Sequence, residues 1–74
     1  MKIISWNVNG MRAVLNKGMA DFLSTENPDI LCLQEIKARE DQVVLPAAFD
    51  AYQSFWNSAL KPGDSGTAIF TKQA

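Results

Sequence analysis

The 74-residue sequence contains no histidine and a single cysteine, Cys32. One thiol forms no internal disulfide, and without an imidazole to join it no structural zinc site can be assembled. The same gap removes the usual base for a cysteine nucleophile. Cys32 lies in an apolar run, Ile30-Leu31-Cys32-Leu33, so its expected role is core packing in a reducing compartment. No stretch approaches the roughly 18 consecutive apolar residues of a membrane span. The apolar run in Met1-Lys2-Ile3-Ile4-Ser5-Trp6 is too short for a signal peptide. The expectation is a cytoplasmic chain with no membrane partner. Charge of one sign is also scarce: 7 Lys and Arg stand against 8 Asp and Glu, for a net charge of −1. That argues against a polybasic module whose affinity rests on many phosphate contacts. It leaves room for an enzyme that reaches nucleic acid through a metal and a few donors. The length allows at most one small domain, in which burial is limited and stability marginal.

What is present is organised around Pro28-Asp29-Ile30-Leu31-Cys32-Leu33-Gln34-Glu35-Ile36-Lys37. Four apolar residues bounded by a turn signal predict a buried strand over 30–34. Before it, Lys2 to Trp6 is β-rich and predicts a first strand, ended by the turn chemistry of Asn7-Val8-Asn9-Gly10. Met11, Leu15, Met19, Phe22 and Leu23 share one helical face, predicting a helix over 11–25 that Gly18 weakens by up to about 1 kcal/mol and Asn27-Pro28 stops. Strand, helix, strand favours parallel pairing, with Asn7 and Glu35 leaving the same edge of the sheet. Further on, a loop over 38–41 leads to a short helix expected over 42–45, and 47–50 is expected to be irregular. A third strand follows over 52–56, with Tyr52, Ser54 and Trp56 on one face. Lys61-Pro62-Gly63-Asp64 suits a type II turn, and 66–71 predicts a fourth strand in hairpin with the third. The fold class is therefore α/β: a β-α-β unit followed by a β-hairpin, in a mixed sheet.

Open α/β sheets place ligand chemistry beyond the carboxyl ends of their strands. Glu35, a hard oxygen donor at such an end, suits Mg²⁺, which is commonly held by one or two carboxylates plus water and phosphate. Asn7 and Asn9 offer neutral amides to a phosphate or a carboxylate. Lys37 supplies positive charge two residues beyond Glu35 and can hold the carboxylate in place. Each also has an ordinary explanation. Glu35 reads equally as a solvated loop residue, Asn7 and Asn9 as turn formers, and Lys37 as a surface lysine.

Taken together, Ser5-Trp6-Asn7-Val8-Asn9-Gly10-Met11-Arg12-Ala13, the 28–37 stretch and Ser65-Gly66-Thr67-Ala68-Ile69-Phe70-Thr71-Lys72 resemble the opening of the exonuclease III family of apurinic/apyrimidinic endonucleases. The resemblance covers essentially the whole chain, in the family's order. It implies a metal-dependent phosphodiesterase of the endonuclease/exonuclease/phosphatase superfamily, whose fold is a four-layer αββα sandwich. It implies that Glu35 is a ligand of Mg²⁺ (or Mn²⁺). Asn7 then lies beside metal and scissile phosphate as a further ligand, with Asn9 and Lys37 supporting them. The implied reaction is hydrolysis of DNA 5′ to abasic sites and trimming of 3′ ends. The family's later Asp/Asn pair, tyrosine and Asp-His ending are absent. Residues 1–74 are thus expected to be the N-terminal portion of one incomplete domain, inactive alone. Asp64 stands where relatives often carry an aromatic residue, which puts the usual DNA contact of that loop in question, and Ile36 replaces a frequent threonine. A phosphoesterase acting on lipid or inositol phosphates and a non-catalytic partner-binding module remain open alternatives. Because Ile30–Leu33 alternates no polar residue, both faces of its strand need cover. One helix covers one face, so self-association or contact with a missing C-terminal portion is expected, with Trp56, Ile69 and Phe70 among the leftover apolar surface.

Overall fold

A computed structural model describes residues 1–58 and 65–72. Four strands form one mixed sheet: β1 (Ile3–Asn7), β2 (Ile30–Gln34), β3 (Tyr52–Asn57) and β4 (Thr67–Lys72). Their spatial order is β1-β2-β4-β3. β1 and β2 are parallel, with Asn7 opposite Gln34, while β4 runs antiparallel to both β2 and β3. The βαβ unit and the hairpin are thus as the sequence pattern predicts, and β4 is the strand that joins them. The expected Lys61–Asp64 turn falls outside the described residues. Among the described residues no helix is long and apolar enough to cross a membrane.

The single helix expected over 11–25 is instead two: α1 (Met11–Leu15) and α2 (Met19–Glu26). The cause is Gly18, which adopts φ 103° rather than a helical value. The backbone closes α1 by three-residue bonds, Asn16 N–H to Ala13 O and Lys17 N–H to Val14 O, and restarts with Phe22 N–H donating to Gly18 O. The apolar face survives the break, because Met11, Met19 and Leu23 are all buried. Asn27 ends α2 in the left-handed conformation, donating its N–H to Leu23 O, and Pro28 follows. The short helix expected over 42–45 is a 3₁₀ turn at Glu40–Gln42, in which the Gln42 side-chain oxygen accepts the Arg39 N–H at 2.9 Å. Val43 is extended after it, as suits a β-branched residue. Residues expected to be irregular form a second 3₁₀ turn, Ala47–Phe49, which seats Phe49 against Phe70 at 5.0 Å between ring centroids.

The helices and 3₁₀ turns lie on one face of the sheet. Leu31, Leu33, Ala68, Phe70 and Tyr52 are buried there with Met11, Met19, Leu23, Ile36 and Phe49. Trp6 packs on Phe22, and Trp56 on Phe70. Tyr52 Oη donates to Pro28 O at 2.6 Å, tying β3 to the turn before β2. The opposite face carries the row Ser5, Cys32, Ile69, Phe55, read directly from the strand register. Two expectations change here. Phe70 and Trp56 belong to the covered face, whereas Ile3 (60% exposed), Phe55 (53%) and Ile69 (41%) lie open on the opposite one. Cys32 is half-buried on that open face rather than in the core.

Candidate active site

Parallel pairing of β1 and β2 brings their carboxyl ends side by side, and the backbone continues the pairing into the loops. Val8 N–H donates to Gln34 O, Gly10 N–H to Glu35 O at 2.8 Å, and Met11 N–H to Ile36 O at 2.9 Å. On the other flank, Ile36 N–H donates to Gly66 O and Lys37 N–H to Ser65 O at 3.0 Å. The 35–37 segment is therefore held between the loop that follows β1 and the segment that leads into β4. Ile36 is fully buried between half-buried Glu35 and Lys37. Its side chain anchors the segment while the two charged residues remain accessible to solvent.

The backbone here is unusual. Asn9, Glu35 and Lys37 have φ of 46°, 52° and 54°, and Gly10 has φ 104°. Left-handed conformations cost a non-glycine residue about 1–2 kcal/mol each. Such strain persists only where surrounding structure over-determines it, and it clusters at functional sites. The hydrogen bonds on both flanks of 35–37, together with the burial of Ile36, supply that constraint.

The side chains converge across the two loops. Asn7 Nδ2 donates to Glu35 Oε2, a close contact between the ends of the parallel strands. Asn7 Oδ1 accepts the backbone N–H of Asn9 at 3.1 Å. Lys37 Nζ donates to Asn9 Oδ1. All four residues singled out in the sequence thus form one connected set. Glu35 Oε1 is left without a protein donor among the described residues. The donor set is oxygen-based, without thiolate or imidazole, which fits a hard cation such as Mg²⁺ or Mn²⁺ better than a soft one. It is also sparse: among the described residues no group of three His, Cys, Asp or Glu side chains could hold a metal. A cation here takes its remaining oxygens from outside these residues, as Mg²⁺ commonly does from water and phosphate.

Beside this set lies a cleft of about 370 Å³ lined by Gly10, Arg12, Ala13, Ile36 and Lys37. Arg12 is exposed and, among the described residues, has no ion-pair partner, so its guanidinium is available to the cleft. Sequence reasoning gave Arg12 no role of its own. Its position two residues beyond Gly10, at the start of α1, was the available signal. In the sequence Ile36 signals only a packing change, and nothing there marks it as the anchor of the residues on either side. Asp64 lies outside the described residues.

The sequence model of the Endonuclease/Exonuclease/phosphatase family matches residues 4–74. The chain is 51% identical over 74 residues to the exodeoxyribonuclease of Bacillus subtilis (strain 168), covering 99% of this chain and 29% of that protein. It is 41% identical over 73 residues to a DNA-(apurinic or apyrimidinic site) endonuclease of Dictyostelium discoideum, covering 99% of this chain and 20% of that protein. Among solved structures, the 3′ phosphatase NExo from Neisseria bound to product DNA hairpin superposes with a TM-score of 0.80 at 32% identity, over 100% of this chain and 28% of that one. The chain therefore spans less than a third of the length of each of these three proteins.

Proposed function

The chain belongs to the Endonuclease/Exonuclease/phosphatase family, and from this we propose that it supplies the Glu35 portion of the active site of a DNA-repair nuclease. The reaction is hydrolysis of DNA phosphodiester bonds at abasic sites and 3′ ends, dependent on Mg²⁺ or Mn²⁺. The observation that carries the reading is the Asn7–Glu35 contact, which joins two residues from separate strands at the carboxyl edge of the sheet. Among the proteins this chain is similar to, one is an exodeoxyribonuclease, one is a DNA-(apurinic or apyrimidinic site) endonuclease, and one is a 3′ phosphatase bound to product DNA hairpin, which supports a reading on DNA.

In this reading Glu35 offers its carboxylate to the cation while Asn7 holds one of its oxygens by an N–H donor. A divalent cation bound there supplies Lewis-acid polarisation of a phosphoryl oxygen. Arg12 and Lys37 line the adjoining cleft and offer charge-assisted hydrogen bonds to phosphate oxygens. The sequence contains no histidine, and the described residues bring few acidic groups to the site, so the isolated chain is expected to be inactive on abasic-site DNA.

The test is a chimera in which this chain replaces the corresponding segment of the Bacillus subtilis exodeoxyribonuclease. The expected result is Mg²⁺-dependent incision of abasic-site DNA, reduced about 100-fold or more by Glu35→Gln, a loss at least as large as removing a metal's outer-shell partner. An active chimera that is indifferent to Glu35→Gln refutes the assignment. Activity confined to a phosphate ester other than DNA moves the reading to another branch of the family.

A further inference from the structure

The pair Asn9-Gly10 carries a chemistry of its own. Of the asparagines in the sequence, Asn9 alone precedes glycine; the others precede Val8, Lys17, Pro28 and Ser58. Asparagine is thermally labile because its side-chain amide is open to attack by the backbone nitrogen of the next residue. Glycine leaves that nitrogen most accessible, having no Cβ to crowd the approach. A β-branched follower such as Val8 shields it, and proline has no N–H to lose. Asn9 is exposed, and the space around Gly10 is open, since a Cβ added there meets nothing within 4 Å. One contact holds the reaction back. Gly10 N–H donates to Glu35 O at 2.8 Å, while Asn9 beside it is held at φ 46°. A nitrogen whose proton is held in a hydrogen bond is slow to lose it. Ring closure also needs the Gly10 nitrogen to turn toward Asn9 Cγ, which it can do only after leaving Glu35 O.

We propose that Asn9 is a site of spontaneous deamidation, gated by the hydrogen bond from Gly10 N–H to Glu35 O. When the gate opens, a bond forms between Gly10 N and Asn9 Cγ, and the bond from Cγ to Nδ2 breaks. Ammonia leaves with the proton that Gly10 N gives up, and a succinimide ring remains. Water then adds to either ring carbonyl and opens the ring to aspartate or isoaspartate, so the sum is one water consumed and one ammonia released. Both products alter the site. Aspartate places a second carboxylate close to Glu35, where a neutral amide oxygen had accepted from Lys37 Nζ. Isoaspartate lengthens the main chain by one carbon between Asn9 and Gly10. The Gly10 and Met11 N–H groups then fall out of step with Glu35 O and Ile36 O, and the pairing of the two loops is lost. The folded loop is thus the guard of its own most labile residue, and each opening risks a change that reclosing cannot reverse.

The experiment ages the 74-residue chain in mildly alkaline buffer, folded and in denaturing urea. Peptide mass spectrometry counts amide-to-acid conversion at each asparagine, and labelling by protein-isoaspartate methyltransferase counts the isoaspartate. Amide hydrogen exchange of Gly10 is measured in parallel under both conditions. In urea, Asn9 is expected to convert faster than Asn7, Asn16, Asn27 and Asn57, and Asn9→Gln, whose longer side chain closes a larger and less favoured ring, removes the signal. In the folded chain, conversion at Asn9 is expected to slow by at least about 10-fold, because it waits on a local opening. The slowing should match the slowing of Gly10 exchange to within about 3-fold, since both need the same nitrogen released from Glu35 O. The isolated isoaspartyl form should exchange Gly10 at the urea rate. Equal rates at Asn9 in the folded and denatured chains overturn the proposal. So does a slowing of Asn9 that departs from that of Gly10 exchange by more than about 10-fold, which places the restraint elsewhere than the gate. Failure of Asn9 to convert in urea removes the site itself.

Discussion

Ile36→Val removes one methylene from a side chain with 0% exposure, between the two charged residues of the site. Transfer of that methylene to water costs about 0.8 kcal/mol. A residual cavity of about 25 Å³, at about 24 cal/mol per Å³, adds about 0.6 kcal/mol. The loss is therefore about 1–1.5 kcal/mol. A chain of 74 residues has a total stability of about 4–11 kcal/mol at ordinary per-residue values, so the change is a substantial share of the whole. Urea titration followed by tryptophan fluorescence measures it. With a slope of about 1 kcal/mol per molar urea, the midpoint falls by about 1 M. Ile3→Val is the control, since Ile3 is 60% exposed on the open face and its loss stays within about 0.5 kcal/mol. Equal midpoint shifts for the two variants, or none for Ile36→Val, would refute the anchoring role given to Ile36.

Gly18→Ala is expected to destabilise by about 1–2 kcal/mol in the same titration, because Gly18 sits at φ 103°; a continuous helix would instead be stabilised by about 1 kcal/mol, so the sign alone separates the two structures. Tyr52→Phe leaves the buried end of its hydrogen bond to Pro28 O without a donor and should cost about 1–2 kcal/mol. Burial, then the nearby Asp29 charge, raises the Tyr52 pKa above its ordinary 10.0. The unfolded chain therefore loses this proton first, and the associated stability is full below about pH 10 and falls as pH rises through the folded value, a decline Tyr52→Phe removes. Asp29 behaves in the opposite sense: the Lys2 backbone N–H, assisted by Lys72 and the N-terminus, holds its pKa below 3.8, so its contribution is present above that value and fades on acidification. Sedimentation should show a dimer or larger species at micromolar concentration, broken by Phe55→Lys on the open face; a monodisperse monomer would contradict it.

The sheet was legible in the sequence because its signals are local. The apolar run 30–33 and the Asn27-Pro28 stop each name a strand or its boundary without knowledge of anything distant. The convergence of Asn7 with Glu35 followed from one topological rule, that a strand-helix-strand unit pairs in parallel. The misreadings share a different origin. A glycine within an apolar helical pattern reads as a local weakening of one helix, whereas the chain uses the freedom of Gly18 at positive φ to end one helix and begin another. Trp56 and Phe70 were assigned to an open face because alternation tells which side chains share a side, not which side the helices cover. Cys32 follows the same logic: its apolar neighbours suggest a core, and register places it opposite them. The Lys37–Asn9 contact was beyond reach, since it depends on left-handed backbone at three residues that the sequence does not mark with glycine.

The placement of β4 between β2 and β3 also bears on how the protein folds. β2 finds both of its neighbours among residues remote in sequence, β1 on one side and β4 on the other. Hairpin formation between β3 and β4 is the more local event, and docking of that hairpin on β2 must close the chain that links them. The 35–37 segment receives hydrogen bonds from loop 8–11 and gives them to 65–66, so it is complete only when both pairings of β2 exist. A partly folded chain that has formed the βαβ unit alone, or the hairpin alone, lacks one flank of that segment. Arrival of the Asn7–Glu35 contact in a refolding experiment should therefore coincide with the last cooperative step.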